Sequence, residues 1–150
     1  EVIIDEEDEE AYNFMIPRLI IQPIVENAIF HGLEEKLEGG KVTIEVIVTD
    51  QNLILTISDN GKGMDSKKLK ELNARIQSDN VDLDEEENRN HRNTGIALPN
   101  IHKRIRLLFG EEYGVNVYST VGQGTDVEIT IPVNDKNSQG IIDEKRITKN

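Results

Sequence analysis

Apolar residues recur at helical spacing from Pro17 to His31, PRLIIQPIVENAIFH, where Ile20, Ile24, Val25, Ala28 and Ile29 share a face. The pattern predicts an amphipathic helix stopping at Gly32. Pro23 lies inside it, so the helix either begins near that residue or bends there. A period of two follows. Val42, Ile44, Val46 and Val48 alternate with Thr43, Glu45, Ile47 and Thr49, and Leu53, Leu55 and Ile57 alternate with Ile54 and Thr56. Two strands joined through Asp50 and Gln51 are most simply an antiparallel hairpin. Ile47 and Ile54 fall on the outer side, which predicts partial cover for that face as well. Val2 to Ile4 suits a short preceding strand.

Asp59-Asn60-Gly61-Lys62-Gly63-Met64 breaks the second strand of the hairpin, and Ser66 to Ile76 reads as a short helix capped by Asp65 or Ser66. A longer amphipathic helix runs from about Ile96 to Phe109. Its stripe is Ile101, Ile105 and Leu108, with Leu98 nearby, and Gly110 ends it. Val115, Val117 and Tyr118 precede a Gly122-x-Gly124 turn, after which Val127, Ile129 and Ile131 alternate into Pro132: a second hairpin. Residues 77–94 hold only Val81 and Leu83 as large apolar residues, too long and polar for a simple turn, so the stretch reads as either disordered or a lid. Residues 133–150 read as a flexible tail after a domain spanning 1–132. This order predicts an α/β two-layer sandwich, with helices on one face of a mixed, mostly antiparallel sheet. The repeated strand–helix–strand units of a doubly wound fold are missing.

Composition narrows the functional classes. The 150 residues carry 29 acidic against 17 basic side chains, a formal charge of -12. Such an excess argues against a nucleic-acid surface. No apolar run approaches the roughly 18–20 residues of a membrane span, and no leader pattern is present, so a soluble chain is expected. Without cysteine there is no disulfide, redox dithiol or thiolate zinc site. His31, His91 and His102 lack metal-ligand spacing. The acid is clustered, in residues 1–10 and 79–87. From Arg89 to Arg106 the sign reverses, with Arg92, Lys103 and Arg104 between them and no acid, so a local basic segment is available to an anionic ligand.

Three glycine-bearing loops stand where a ligand can lie: Gly61 and Gly63 after Asp59, Gly95 before the long helix, and Gly122 and Gly124 before Thr125. Neither pair is a P-loop or a dinucleotide fingerprint. A fourth element is Glu26-Asn27 on the first helix. Asn27 and His31, four apart, share a face, which is either a solvated polar face or a place where an amide oxygen meets a hard cation such as Mg2+.

Together and in this order, these segments resemble one family: the ATP-binding catalytic domain of bacterial sensor histidine kinases, in the Bergerat-fold superfamily that includes gyrase-type ATPases and Hsp90. The subgroup most similar is LytS/YesM-like. Its hallmark is a Pro followed by Leu-Gln-Pro-Leu-Val-Glu-Asn-Ala-Ile and His-Gly, and residues 16–32 here read IPRLIIQPIVENAIFHG. The resemblance implies a Bergerat fold that uses ATP and Mg2+. It implies a catalytic helix bearing Asn27, Glu26 and His31, with Asn27 as the metal ligand. Asp59 would accept the adenine amino group beside Gly61 and Gly63. Gly95, Ile96, Ala97 and Leu98 would wrap the phosphates at a helix N-terminus, and Gly122, Gly124 and Thr125 would support the pocket wall. Asn100 and Arg104 match a further subgroup pattern, Arg104 being either structural or phosphate-facing.

Two positions depart from the family. Phe30 stands where a basic residue usually precedes His-Gly, and Ala97 replaces a glycine of the phosphate-wrapping loop. Pro23 occupies the position at which gyrase-type relatives carry a water-activating Glu, so the resemblance implies phosphoryl transfer to a histidine rather than hydrolysis. It also implies an acceptor histidine on a separate dimerising helical domain, a downstream response regulator, and a cytoplasmic location within a membrane-anchored receptor. The fragment itself is expected to be monomeric and the full-length receptor a homodimer. A stand-alone ATPase, a serine/threonine kinase of this fold and a module that binds no nucleotide remain alternatives.

Overall fold

The computed structural model describes residues 2–6, 18–33, 39–78 and 97–133. In chain order these form β1 (Val2–Glu6), α1 (Arg18–Asn27) running into a π-helical turn (Ala28–Gly32), β2 (Val42–Val48), β3 (Asn52–Asp59), α2 (Ser66–Gln77), α3 (Ala97–Phe109), β4 (Gly114–Thr120) and β5 (Gly124–Pro132). Both expected hairpins are present. β2 pairs antiparallel with β3, Ile44 opposite Ile57 and Val46 opposite Leu55, and β4 pairs with β5, Val117 opposite Val127. β3 and β5 join the hairpins through an antiparallel pairing of their own, and β1 lies parallel to β2. The resulting order is β1-β2-β3-β5-β4, a mixed sheet with a single parallel pair.

Period-two alternation puts Leu53, Leu55, Ile57, Val115, Val117, Val127 and Ile129 on one face, where all are buried. Ile24 and Ala28 of α1, Ile76 of α2 and Leu98, Ile101 and Ile105 of α3 belong to the same apolar cluster. The helices therefore form one layer on one face. Each fully buried Leu or Ile in this layer contributes about 1.5–3 kcal/mol relative to exposure. α2 starts where expected: Asp65 is its cap, accepting from the Lys68 backbone N–H at 2.8 Å.

Three expectations about burial are corrected. Ile29 is 43% exposed, because the wider π turn, bonded i to i+5, moves it off the face that α1 buries. Leu108 is 62% exposed. The buried stripe of α3 runs through Leu98, Ile105 and His102 toward the half-buried Phe109, so Leu108 falls outside it. The second sheet face does not cover Ile47, which is exposed. Ile47 and Ile54 lie directly opposite each other in the β2–β3 register and shield one another instead.

Candidate functional site

The C-terminal end of β3, the start of β5 and the π turn after α1 meet through their backbones. Asp59, the last residue of β3, is buried, and its Oδ1 accepts from the Gly61 N–H at 2.8 Å, an Asx-type turn that fixes the carboxylate's orientation. A Cβ on Gly61 would overlap the Gly32 carbonyl, and one on Gly32 would overlap the Asp59 carboxylate. Gly124 has φ +115 and its Cβ position is filled by the Asp59 carbonyl; Gly63 has φ +67 and meets the Thr120 carbonyl in the same way. Hydrogen bonds close the arrangement, from Lys62 N–H to the Gly32 carbonyl at 3.2 Å and from Gly122 N–H to the Lys62 carbonyl at 2.7 Å. Gly32 is thus needed less to stop a helix than to admit Asp59. Gly122 serves as the hairpin turn that ties β4–β5 to the loop after β3.

Ser119 adds a side-chain junction that the sequence gives no sign of. Its Oγ accepts from the Met64 N–H at 2.8 Å, donates to the Gly124 carbonyl at 2.9 Å and lies 2.9 Å from Thr125 Oγ1. Above these residues opens a cavity of about 410 Å³. Its floor is apolar: Ile24, Ala28, Ile57, Leu72, Val117 and Val127. Asn27, Asp59 and Thr125 bring polar groups to it, and Lys62, Lys68 and Arg75 bring cations. That combination of an apolar slot and a few fixed polar groups suits a flat heterocycle carrying an anionic tail.

The predicted site residues separate clearly. Asn27, half-buried at the end of α1, shares the cavity lining with Asp59, Gly63, Leu98 and Thr125. Gly61 and Gly124 are buried behind Asp59 rather than lining the cavity. Glu26 is exposed, accepts from Gln22 Nε2 at 3.0 Å, and lies outside the lining: the helix turns it away from Asn27's side. Ala97 is half-buried at the first position of α3, also outside the lining. Gly95, Ile96, the His31 side chain, most of the expected lid and residues 134–150 of the tail lie outside the described residues.

The basic run proposed to face an anion does not line the cavity where it is described. Arg104 is exposed, Lys103 half-buried, and Arg106 reaches Glu111 at 3.8 Å on the surface. The cavity's cations come from α2 and the loop before it. Lys68 and Arg75 flank the α2 apolar stripe of Leu69, Leu72 and Ile76, a helical spacing legible in the sequence once that stripe faces the site.

His102 is buried on α3, and its Nδ1 accepts from the Val115 N–H at 3.0 Å. Burial, and then the Arg106 guanidinium one turn on, hold the imidazole pKa below its usual 6.5. Its Nε2 and the Asn100 Oδ1 are buried without a hydrogen-bond partner among the described residues. His102 does not line the cavity.

Comparison with known proteins decides what kind of site this is. Residues 15–135 match the family described as histidine kinase-, DNA gyrase B-, and HSP90-like ATPase. The chain belongs to this family. Within this ATPase family, it is 34% identical over 125 residues to the sensor histidine kinase YesM of Bacillus subtilis, covering 83% of this chain and 18% of that one. It is likewise 34% identical over 130 residues to the sensor histidine kinase YpdA of Escherichia coli, covering 87% and 20%. The sensor protein LytS of Oceanobacillus iheyensis is 34% identical over 125 residues, covering 83% and 20%. The chain thus spans 18–20% of the length of these curated relatives. The histidine kinase domain of a blue-light activated histidine kinase from Erythrobacter litoralis superposes with a TM-score of 0.56 at 18% identity, covering 92% of this chain and 54% of that one, which shows the same fold. The LytS/YesM-like resemblance stands. As a histidine kinase-like ATPase domain, the chain is an ATP-binding domain of the sensor-kinase type. Among its described residues, no helix is long and apolar enough to cross a membrane.

Proposed function

We propose that the cavity holds Mg-ATP and that the domain donates the γ-phosphoryl group to a histidine on a separate domain. The observation carrying this reading is that Asn27 and Asp59, far apart in sequence, line one cavity with an apolar floor. An ionised carboxylate accepts but cannot donate, so Asp59 suits the exocyclic amino group of adenine, with Thr125 beside it. Ile57, Val127 and Met64 would cover the ring.

Among the described residues no cluster of three carboxylates or histidines is placed to hold a metal. Mg2+ is commonly held by one or two protein oxygens and completed by substrate phosphates and water. Asn27 would be such a ligand. When bound at Asn27, Mg2+ would supply positive charge against the negative charge of the transferring group. On the protein's side, Asp59 would fix the base and α3 would turn its positive N-terminal end toward the phosphates. The P–O bond to ADP would break as an imidazole lone pair forms the P–N bond, and a neutral imidazole needs no base to attack.

Hydrolysis is the poorer reading. Pro23 stands four residues before Asn27, and Glu26 is exposed and bonded to Gln22, so neither supplies a base beside Asn27. The acceptor domain, a homodimeric receptor anchored in a membrane with this domain on its cytoplasmic side, and a downstream response regulator all belong to the same proposal.

Calorimetric titration with a non-hydrolysable ATP analogue and Mg2+ tests it. Saturable binding is expected, and no binding at millimolar ligand would overturn it. Asp59→Asn keeps an acceptor for the Gly61 N–H but turns an amide donor toward adenine, so affinity for ATP and adenosine should fall about 10- to 100-fold. Asn27→Ala should chiefly remove the Mg2+-dependent part of binding. Steady ATP turnover without transfer to a supplied histidine-bearing helical domain would favour the stand-alone ATPase.

A further inference from the structure

Among the described residues the cavity's charged lining comes from α2, the end of β3 and the loop between them. Its cationic lining residues are Lys62, Lys68 and Arg75, two of them on α2, while its anionic ones are Asp59 and Glu71. Elsewhere the described lining is apolar or neutral. Phe30, in the π turn where the family usually carries a basic residue, is 62% exposed and lies outside the lining. The cations of α3 also lie outside it.

We propose that α2 adds cationic phosphate contacts to this site, with Lys68 and Arg75 as its binding side chains and Glu71 as an opposing charge. This rests on the cavity being the ATP site. Lys68, Leu72 and Arg75 follow at i, i+4 and i+7, so Leu72 lies against the slot and a cation stands one turn to either side. Lys68 and Arg75 are both exposed at the cavity edge, which lets their stems cross its apolar rim while their heads stay in water. The start of α2 is pinned near the base-binding end, because Met64 bonds to Ser119 and Ser119 contacts Thr125. Arg75 is about 10 Å farther along the helix than Lys68, at 1.5 Å per residue. The two therefore present a line of positive charge rather than a point, which matches a polyphosphate better than a single anion. Arg75 offers a planar fork for two phosphate oxygens and Lys68 a mobile point charge.

Glu71 gives this arrangement a sign. It is three residues after Lys68 and four before Arg75, the spacings at which helix side chains meet, and it lines the same cavity. Its carboxylate shares the cavity and repels an anionic nucleotide tail. Removing Glu71 should therefore strengthen binding, whereas removing the cations should weaken it.

The test is titration of the whole chain with ATP, ADP and adenosine, each with Mg2+. Lys68→Gln and Arg75→Gln keep good helix formers in place. The double substitution should weaken ATP about tenfold or more, weaken ADP less, and leave adenosine within twofold. Glu71→Gln should tighten ATP by a few fold, and the salt dependence of ATP binding should shrink in the double variant. Equal losses for ATP and adenosine, unchanged ATP affinity, or weaker ATP binding by Glu71→Gln would overturn the proposal. Failure of the unmodified chain to bind ATP would instead sink the assignment of the cavity, so the two failures are separable.

Discussion

Asp59 and His102 are the polar side chains buried in the described core, and they are held in opposite ways. Asp59 is locked by main chain: the Gly61 N–H bonds its carboxylate, Gly32 gives it room, and Gly124 presses on its carbonyl. It opens onto a cavity. His102 is held by one bond on one ring nitrogen, and its other nitrogen has no partner among the described residues. It lies outside the lining of that cavity and instead closes the sheet edge. β4 is the last strand, and its unpaired groups attract aggregation unless covered. His102 accepts from the Val115 N–H, and Asn73 Nδ2 donates to the Val117 carbonyl at 3.3 Å. The difference teaches that a buried polar group is a recognition element when its surroundings fix its direction toward open space. When the surroundings end on it, the group is a fastener.

The sharpest way to break this contrast is at Gly61. A Cβ there meets backbone rather than a movable side chain, so Gly61→Ala should cost about 3 kcal/mol and abolish base recognition together. Chemical denaturation beside titration reads both, and an alanine tolerated in each would remove the interlock from the account.

His102→Gln comes next. Loss of the ring leaves the Val115 N–H buried and the core short of volume, a cost of about 2 kcal/mol, while ATP affinity of the folded protein should hold. The same residue carries a pH signature. Because its pKa is lowered in the fold, the unfolded chain takes up the proton first as pH falls. The stability it contributes is complete above the unfolded value of about 6.5 and is lost as pH falls from there toward the folded value. Protonation would also turn Nδ1 from acceptor into donor, against the Val115 N–H. Melting curves from pH about 7.5 down to about 5.5 should show a loss in the native chain that is smaller in His102→Gln. Parallel curves would assign that loss to other groups.

The smallest effect is expected at Ser119. Ser119→Ala removes the bridge among Met64, Gly124 and Thr125 without touching Asp59, and should lower stability by about 1 kcal/mol with a modest fall in adenosine affinity. A loss as large as that of Gly61→Ala would mean that side chains, rather than glycines, hold the site.

Much of this was legible along the chain, for identifiable reasons. Strand alternation and turn glycines are local signals, so both hairpins, the Asp65 cap and the stop at Gly110 follow from neighbours in sequence. Asn27 and Asp59 were legible through the resemblance, and the cavity brings them together. Phase was harder. The π turn shifts the helical phase after Asn27, which is why Ile29 is exposed. Glu26 sits beside Asn27 in sequence yet turns away, and charge counting favoured Arg104 over Lys68 and Arg75 because only packing decides which helix faces the slot. His102 inside the α3 stripe displaced Leu108, and no spacing rule foretells a buried imidazole that a strand edge requires. Gly95, Ile96, the lid and the tail are outside the described residues, so those expectations stand as they were.

The interlock around Asp59 bears on how such a domain can diverge. Gly32, Gly61 and Gly124 sit on three separate segments, and a side chain on any of them would enter space held by Asp59 or by Gly32, so none can be exchanged alone. A lineage or a designer seeking a different base is denied the backbone as a variable. What remains adjustable is the side-chain lining of the cavity, chiefly Met64, Leu98 and Thr125, and a change in selectivity would have to be written there.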